Sequence, residues 1–233
     1  MIIENIRQEL INNSDNKVKK SGERFFKESV KLYGIKSAIV ERIGKECYKT
    51  ISNKSKSDIF NLCEELWKSG YLEEAGIACN WSYYIRKYYE PEDFRVFDRW
   101  VNNYVNNWAT CDTLCNHSVG TLVEMFPDCL SGLMEWTKSA NRWMRRAAAV
   151  SLIVPARKGK FLKEIFLIAD MLFDDRDDMV QKGYGWMLKT ASKPYQKEVF
   201  DYVYAKRAAM PRTALRYAIE KMPKELKSLA MTK

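Results

Sequence analysis

The sequence contains little glycine and proline, a single histidine and no long apolar run. Its 233 residues include 10 glycines, 6 prolines and one histidine, His117. With 46% hydrophobic and 13% aromatic residues, this composition is typical of a packed globular protein and excludes a disordered tail. No apolar stretch is long enough to span a membrane, and the N-terminus, MIIENIRQEL, lacks the apolar core of a signal peptide. These absences predict a cytoplasmic protein without a membrane partner.

The cysteines do not form the framework of a small disulfide-rich secreted domain. There are six of them: Cys47, Cys63, Cys79, Cys111, Cys115 and Cys129. Cys111 and Cys115 lie one helical turn apart, with His117 nearby, but one CxxxC pair without a second pair is a weak zinc signal. Buried small residues in a reduced compartment are the favoured interpretation. No metal and no cofactor are predicted.

The charges are unevenly distributed along the chain. Residues 1–56 carry 13 basic and 7 acidic side chains, residues 57–138 carry 6 and 13, and residues 139–233 carry 20 and 10. The net charge of +9 therefore comes from the two ends. A positive tract of this kind favours a polyanionic partner, most often nucleic acid. From charge alone, solvated helix faces are an equally good interpretation, also for the basic segment KVKKSGERFFK.

Apolar residues recur at helical spacing through most of the chain, and signals for strands are nearly absent. The clearest helical segments are 60–72, 91–105, 127–140, 161–173 and 194–209. Each is followed by a further helical segment after a short break such as KSG, KSAN, DDRDD or AMP. The pattern predicts a succession of helical hairpins. Three tryptophans fall on apolar stripes and are expected in the core: Trp67, Trp100 and Trp136. The aromatic run WSYY (81–84) either packs between repeats, which is favoured, or lines a groove.

The second helices of successive hairpins share a basic residue followed by small residues. WMRRAAAVSL and MVQKGYGWML align at a spacing of 36, which places Arg146 on Lys182, and a further step of 34 reaches Arg216. A step of 34 backwards from Arg146 reaches Asp112, whereas 36 reaches Thr110, so this register stays open. The small residues are expected to let neighbouring helices approach closely, with the charged position facing outwards.

Repeats of this length with two helices each are typical of the HEAT and TPR classes. We predict an all-α fold, an α-solenoid of stacked antiparallel helix pairs (HEAT-like repeats) that curves around a basic concave groove. A single domain is expected over residues 1–233, with N-terminal helices to about residue 55, repeats over about 56–223 and a short C-terminal tail.

Within this repeat pattern, NNWATCDTLC (106–115) places a tryptophan and a carboxylate on one helix face. Trp108 and Asp112 are four residues apart, and Trp186 follows Lys182 by the same interval. A lone tryptophan is usually a core residue, and a lone aspartate is usually an exposed acid. Two tryptophans and a carboxylate along a basic row suit a chemical reaction better than binding of the DNA backbone alone.

Together these residues resemble the AlkD-like DNA alkylation-repair family of HEAT-like-repeat DNA glycosylases. The family's W-x-x-x-D pair corresponds to Trp108 and Asp112, and its arginine before paired alanines corresponds to Arg146 in RRAAA. Its Q-K-x-x-G-W segment corresponds to QKGYGW, residues 181–186. The similarity extends from about residue 20 to residue 222.

The resemblance implies a monomer that hydrolyses the N-glycosidic bond of cationic alkylated purines, such as 3-methyladenine or 7-methylguanine, in duplex DNA. It implies action without extrusion of the base, in a bacterial-type cytoplasm and at the nucleoid. Asp112 would stabilise positive charge on the sugar, and Trp108 and Trp186 would attract the cationic nucleotide. The expected DNA-binding residues are Arg146, Lys182 and Arg216, with Arg142, Arg145, Lys189 and Arg212 beside them.

The chain departs from active members of the family at three positions. Phe25 stands where they carry tyrosine, Lys36 where they carry glutamine, and Asn107 where they carry a second tryptophan. Phe25 and Lys36 are the expected lesion contacts. These departures keep a second function open, a non-catalytic binder of damaged or branched DNA. A helical-repeat adaptor for proteins is a third hypothesis, which the basic row disfavours.

Overall fold

The computed structural model describes residues 1–232, and Lys233, the end of the expected domain, lies outside them. Most of the described residues are helical, as the apolar periodicity predicts. The first helices are α1 (Ile2–Asn12), α2 (Asn16–Phe25), α3 (Ser37–Lys49), α4 (Lys56–Lys68), α5 (Leu72–Tyr84), α6 (Phe94–Asn103) and α7 (Trp108–Leu114). They are followed by α8 (Gly120–Met125), α9 (Leu130–Trp136), α10 (Arg142–Val150), α11 (Ile153–Arg157), α12 (Leu162–Met171), α13 (Asp178–Ala191), α14 (Gln196–Lys206), α15 (Arg212–Ile219) and α16 (Lys224–Met231). Within residues 1–232, extended backbone pairs only at an isolated bridge between Lys31 and Tyr71. None of the described helices is long and apolar enough to cross a membrane.

Contacts divide the chain into two compact units, Met1–Leu114 and Cys115–Lys233. The division falls where α7 passes into a short π-helical segment, Cys115–Val119. The single-domain organisation expected from the repeats stays a prediction.

The first unit is built around α5, which packs against α3, α4 and α7. Its core is rich in aromatic side chains. Trp81 is fully buried, and its indole Nε1 donates to the carbonyl of Gly44 at 2.9 Å. The WSYY run therefore begins with a packing residue. Trp67 and Trp100 are buried as predicted.

In the second unit, α10, α13 and α15 pack in a row, and α9, α12 and α14 precede them as the first helices of the pairs. Two glycines of α13 allow the close approach that the small residues predict. A Cβ on Gly183 would lie 3.3 Å from Cγ of Arg146, and a Cβ on Gly185 would lie 2.8 Å from the carbonyl oxygen of Ala214. This stacking confirms the all-α class and the repeat of helix pairs. The breaks KSAN and AMP fall between helices, and KSG and DDRDD each overlap a helix by one end residue, Lys68 of α4 and Asp178 of α13.

Candidate nucleic-acid site

Helix α7 carries Trp108 and Asp112, and a buried asparagine begins it. Asn107 is 1% exposed, and its side-chain oxygen accepts a hydrogen bond from the main-chain N–H of Thr110 at 3.0 Å. Asparagine is a preferred residue at a helix start because it satisfies an N–H that the helix leaves unpaired. At the position where the family carries a second tryptophan, this chain therefore has the residue that caps the helix of the candidate site.

Trp108 lies against two phenylalanines from the end of α2. Its ring centroid is 5.6 Å from that of Phe25 in an edge-to-face arrangement and 5.7 Å from that of Phe26. Phe25 itself is 67% exposed, which is unusual for a large apolar side chain in a packed unit. We call Phe25, Phe26 and Trp108 the aromatic cluster. It places the predicted lesion contact Phe25 directly beside the predicted catalytic residue Trp108.

The aromatic cluster forms one wall of a cavity of 530 Å³ that is open to solvent and lined by residues of the first unit. The floor includes Gly76 and Asn80, one turn apart on α5, and Thr110 and Thr113 of α7 add hydroxyl groups. Asp112 does not line this cavity; it is half-buried and shares a helix face with Trp108.

Helix α2 covers one side of the cavity and is positioned through two glycines. Asp15 caps α2 by accepting from the N–H groups of Lys17 and Val18, and its own N–H donates to the carbonyl of Gly34 at 2.9 Å. Gly34 has φ +93°, and a Cβ there would lie 2.6 Å from the carbonyl oxygen of Asp15. A Cβ on Gly22 would lie 2.7 Å from Leu32. The helix can approach the following loop this closely because glycine has no side chain.

A buried carboxylate holds that loop. Glu73, 5% exposed at the start of α5, accepts hydrogen bonds from the main-chain N–H groups of Tyr33, Gly34 and Ile35 at 3.1, 2.8 and 3.2 Å. Its neighbour Glu74 is fully buried and pairs with Arg7. Glu73 has no basic partner among residues 1–232.

Beside the cavity, α2 and the start of α3 form a shallow depression with three basic side chains. Lys17, Arg24 and Lys36 line it together with Phe25. All three are exposed and lack an acidic partner within the described chain. We call them the basic rim. The predicted lesion contact Lys36 thus lies next to Phe25, at the first residue before α3.

In the second unit, the structure buries the predicted phosphate contact Arg146. Its side chain is 5% exposed, and one guanidinium nitrogen donates to the carbonyl of Met179 on α13. Gly183 leaves room for the arginine stem. The repeat pattern predicts that this position faces outwards, and that prediction is wrong for Arg146. The side chain joins α10 to α13 because a glycine on the neighbouring helix opens a space for it.

Four other predicted DNA contacts form ion pairs between or within the repeats. The pairs are Arg142 with Asp177, Arg145 with Asp175, Lys182 with Asp178 and Lys189 with Glu220, at N–O distances of 2.9, 2.6, 3.0 and 2.8 Å. All four basic side chains are partly exposed, so they are accessible to solvent. A phosphate would have to compete with the acidic partner for each of them.

The last two predicted DNA contacts, Arg212 and Arg216, differ from the other five. They lie one turn apart on α15, both are exposed, and within residues 1–232 neither pairs with an acid. Trp186 is half-buried on α13, and its position one turn from Lys182 places the two on one helix face.

The burial predicted for the cysteines is confirmed. All six are buried, and residues 1–232 hold no group of three or more potential ligands positioned for a metal ion. Burial raises the pKa of the Cys63 thiol and that of the Cys79 thiol, which makes both poor nucleophiles at neutral pH.

The residue spacing predicted the pair on α7, and the family resemblance named Phe25 and Lys36, but neither indicated the cavity beside them. Phe26, Glu73, Gly76 and Asn80 belong to this cavity and come from separate segments. The one signal available was Gly76, a glycine inside an otherwise regular helical pattern, since such a residue often has a packing or functional reason.

Comparisons with known proteins support the resemblance to the DNA alkylation-repair family. The model of the DNA alkylation repair enzyme family matches residues 6–222, nearly the whole chain. Among solved structures, a predicted DNA alkylation repair enzyme from Enterococcus faecalis is similar, with a TM-score of 0.79 and 17% identity over 91% of this chain and 98% of that one. At this identity the likeness concerns the fold. No curated protein matches. By its sequence match, the chain belongs to the DNA alkylation repair enzyme family, and its role lies in DNA repair.

Proposed function

We propose that this protein is a DNA glycosylase that hydrolyses the N-glycosidic bond of cationic alkylated purines in duplex DNA. One observation supports the proposal above all. The aromatic cluster places the rings of Phe25, Phe26 and Trp108 together one helical turn before the half-buried carboxylate of Asp112. Aromatic faces attract cations, and a carboxylate stabilises the positive charge that develops on the sugar.

The chemistry requires little beyond these groups. A purine alkylated at N3 or N7 is already positively charged, so it leaves with the electron pair of the C1′–N bond without prior protonation. Asp112 stabilises the oxocarbenium-like sugar, and it accepts a proton from the water that forms the new C1′–O bond. No general acid is needed.

DNA binding in this proposal depends mainly on exposed, unpaired cations. Arg212 and Arg216 meet this condition in the second unit, and the basic rim meets it in the first. They would bind phosphates and so position the duplex without reading its sequence. Arg146 is left out of this set, because its guanidinium is already buried against Met179.

The decisive experiment measures release of alkylated bases from methylated duplex DNA by wild type and by Asp112→Asn. The amide keeps the size of the carboxylate and removes its charge, so we expect the rate of base release to fall by about 100-fold or more. Asp128→Asn is the matched control, because Asp128 is an exposed aspartate in the turn before α9. If Asp112→Asn releases bases as fast as wild type, the proposed mechanism is wrong.

A second candidate function, a non-catalytic binder of damaged or branched DNA, is favoured by Asn107. A buried capping residue stands where active members of the family carry a second tryptophan. This function predicts that wild type releases no alkylated base, prefers branched or damaged DNA, and binds it equally well with Asn at position 112.

A further inference from the structure

The aromatic run WSYY does not end in the core. Its last residue, Tyr84, is half-buried at the end of α5, and Tyr88, in the short 3₁₀ turn that follows, is 53% exposed. Tyr48, near the end of α3, is half-buried, and its ring centroid lies 5.0 Å from that of Tyr84 in an edge-to-face arrangement. We call Tyr48, Tyr84 and Tyr88 the tyrosine surface.

Tyr88 and Lys87 lie close enough to Tyr48 to act on its ionisation. Burial raises the pKa of Tyr48, and smaller effects on that pKa come from Cys63, Tyr84, Tyr88 and Lys87. Burial also raises the pKa of Tyr84. Both hydroxyls therefore stay protonated at neutral pH, and a phenol O–H can donate to a phosphate oxygen. Within residues 1–232, the hydroxyls of the tyrosine surface make no hydrogen bond, so they are available to a ligand.

Three lysines border the tyrosine surface, and none of them has an acidic partner among the described residues. They are Lys45, Lys54 and Lys87, all exposed. Lys45 precedes Tyr48 by three residues on α3, so the two share a face. The ammonium of Lys54 lies 5.6 Å from the ring centroid of Tyr48, and that of Lys87 lies 4.7 Å from the ring centroid of Tyr88. Lys54 donates to main-chain carbonyls, which leave its charge uncompensated.

The acidic residues nearby do not cancel this charge. Besides burial, the charge of Glu41 on α3 contributes to the raised pKa of Tyr84, so this acid faces the surface. Glu46 already pairs with Lys49 at 2.8 Å. Three lysines against one unpaired acid give the surface a positive charge, which favours an anionic partner.

Exposed aromatic rings beside cations suit a single strand of nucleic acid better than a duplex. In single-strand sites, unpaired bases stack on aromatic side chains while basic residues contact the phosphates. In a duplex, each base is already stacked between its neighbours, so a tyrosine ring has no base face to contact. The cations alone would serve either form. The rings therefore decide between the two.

The tyrosine surface continues the cavity of the first unit. Gly76 and Asn80 line that cavity, and Tyr84 follows Asn80 by one turn on the same face of α5. On α3, Glu41 lines the cavity and Tyr48 lies two turns further along the same face. A strand bound at the tyrosine surface would thus lie along the two helices that also line the candidate site.

We infer that the tyrosine surface binds a single-stranded DNA segment, with ordinary unpaired bases on the rings and phosphates on Lys45, Lys54 and Lys87. The inference goes beyond the proposed function, because holding an unpaired strand breaks no bond and does not depend on Asp112. It also gives a role to the tyrosines of the WSYY run that packing does not use.

The first experiment measures binding of the full chain to a fluorescent oligothymidylate of about 12 nucleotides, a length within the range of single-strand sites. Oligothymidylate does not pair with itself. A DNA hairpin is titrated in parallel, and fluorescence anisotropy gives both affinities. We expect wild type to bind the single strand with an affinity that falls as salt rises. A wild type that binds the hairpin but not the oligothymidylate overturns the inference.

Tyr88→Ala removes the most exposed ring of the surface. We expect its affinity for oligothymidylate to fall by about fivefold or more, since stacking of one base has at least this effect, and its affinity for the hairpin to change by less than about twofold. Tyr88→Phe keeps the ring and should retain most of the affinity. Wild-type affinity in Tyr88→Ala, or an equal loss for both DNA forms, contradicts the assignment.

Tyr204→Ala is the matched control for the ring. Tyr204 is an exposed tyrosine of α14 in the second unit, and the guanidinium of Arg207 lies 3.9 Å from its ring centroid, much as Lys87 lies over Tyr88. We expect Tyr204→Ala to bind oligothymidylate as wild type does. The same loss in Tyr204→Ala and Tyr88→Ala would mean that any exposed tyrosine has this effect, and would overturn the inference.

A lysine pair tests the phosphate contacts and also decides the question if circular dichroism shows that Tyr88→Ala does not fold. Lys45→Ala with Lys87→Ala should lower the slope of log affinity against log salt by about 1.4 for oligothymidylate, since each phosphate contact on a single strand adds about 0.7. Lys163→Ala with Lys224→Ala, two exposed lysines of the second unit without an acidic partner within the described chain, is the control. Equal slopes in the two double variants contradict the assignment.

Asp112→Asn separates this inference from the proposed function. We expect it to lose base release and to keep the wild-type affinity for oligothymidylate. A wild type that releases alkylated bases but does not bind the single strand keeps the glycosylase and overturns the tyrosine surface. A wild type that binds the single strand through Tyr88 without any base release does the reverse.

Discussion

Arg146 and Arg216 occupy matching positions of two repeats but differ in burial. The side chain of Arg146 is 5% exposed, and it joins α10 to the carbonyl of Met179 through a space left by Gly183. Arg216 occupies the matching position of a later repeat, yet it is exposed and has no acidic partner within the described chain. The same position of the repeat is therefore buried in one pair of helices and exposed in another.

We expect Arg146→Ala to lower the free energy of unfolding by about 2 kcal/mol or more, because it removes a buried hydrogen bond and leaves a cavity. Arg216→Ala should change it by less than about 0.5 kcal/mol and should weaken DNA binding instead. Urea unfolding and fluorescence anisotropy with a duplex measure the two effects. Equal stability of the two variants would show that Arg146 is not a structural residue.

The residue pattern predicted the Trp108–Asp112 pair because four residues make one helical turn, whatever the rest of the fold does. It could not predict the burial of Arg146. A basic residue before alanines is ordinarily exposed, and the space that buries it depends on a glycine of another helix. Similarly, local chemistry explains why Asn107 can cap a helix, but it does not predict that Asn107 is buried.

At the scale of helices, α13 depends on a glycine that touches the neighbouring backbone. A Cβ on Gly185 would lie 2.8 Å from the carbonyl oxygen of Ala214 and 2.7 Å from Cβ of Tyr217. Gly185→Ala gains about 1 kcal/mol of helix propensity, but it forces α13 and α15 apart, and overpacking costs about 1–3 kcal/mol. We expect net destabilisation, measured by thermal and urea unfolding.

Gly76→Ala is the matched comparison, since a Cβ there meets open space. It should raise the free energy of unfolding by up to about 1 kcal/mol. If both alanine variants are stabilised, the close contact between α13 and α15 does not restrain the chain.

Glu64 ties α4 to α6 and makes the stability of the first unit depend on pH. Its carboxylate accepts from Arg99, Trp100 and Tyr104. Burial raises the pKa of Glu64, but the hydrogen bonds from Arg99, Tyr104 and Trp100 outweigh it and leave that pKa lowered. A carboxyl group with a lowered folded-state pKa contributes stability above its unfolded pKa, about 4.3, and loses it as the pH falls through the folded pKa.

The expected result is a steeper loss of stability for wild type than for Glu64→Gln as the pH falls below about 4.3. Unfolding by urea at several pH values measures it. Glu65→Gln is the control, because Glu65 is exposed on the same helix and, within the described chain, pairs only with Lys68. An identical pH dependence in wild type and Glu64→Gln would contradict the role given to this carboxylate.

Helices, their breaks and their stacking in pairs were all predictable, because apolar periodicity and capping residues are local signals. The cavity was not. Its walls come from α2, the loop before α3, α3 itself, α5 and α7, and no spacing along the chain indicates that these segments line one cavity.

At the scale of the whole molecule, the net charge of +9 overstates the number of basic side chains that are available to bind DNA phosphates. Acidic side chains pair with Arg142, Arg145, Lys182 and Lys189, whereas Arg212 and Arg216 have no acidic partner among residues 1–232. Each cation that contacts a phosphate releases counterions, so it adds about 0.9 to the slope of log affinity against log salt. Cations already paired with acids add less, since binding exchanges one ion pair for another.

We therefore expect the double substitution Arg212→Ala and Arg216→Ala to reduce the salt slope by about 2, and Lys182→Ala to reduce it by less than about 1. Lys197→Ala is the control, because Lys197 lies on α14, the first helix of its pair, and forms an ion pair with Asp201. Anisotropy titrations at several salt concentrations measure the slopes. If the double variant and Lys197→Ala have the same slope, α15 does not contact DNA.

The hydrogen bonds between Glu73 and the loop before α3 affect which residues of this loop can change during evolution. A carboxylate that binds only main-chain N–H groups places no demand on the side chains of the residues it holds. Ile35, which lines the cavity, can be replaced over evolutionary time without altering the course of the loop. Gly34 and Glu73 cannot vary as freely. The inner surface of the cavity can thus acquire a new preference while the surrounding chain keeps its path.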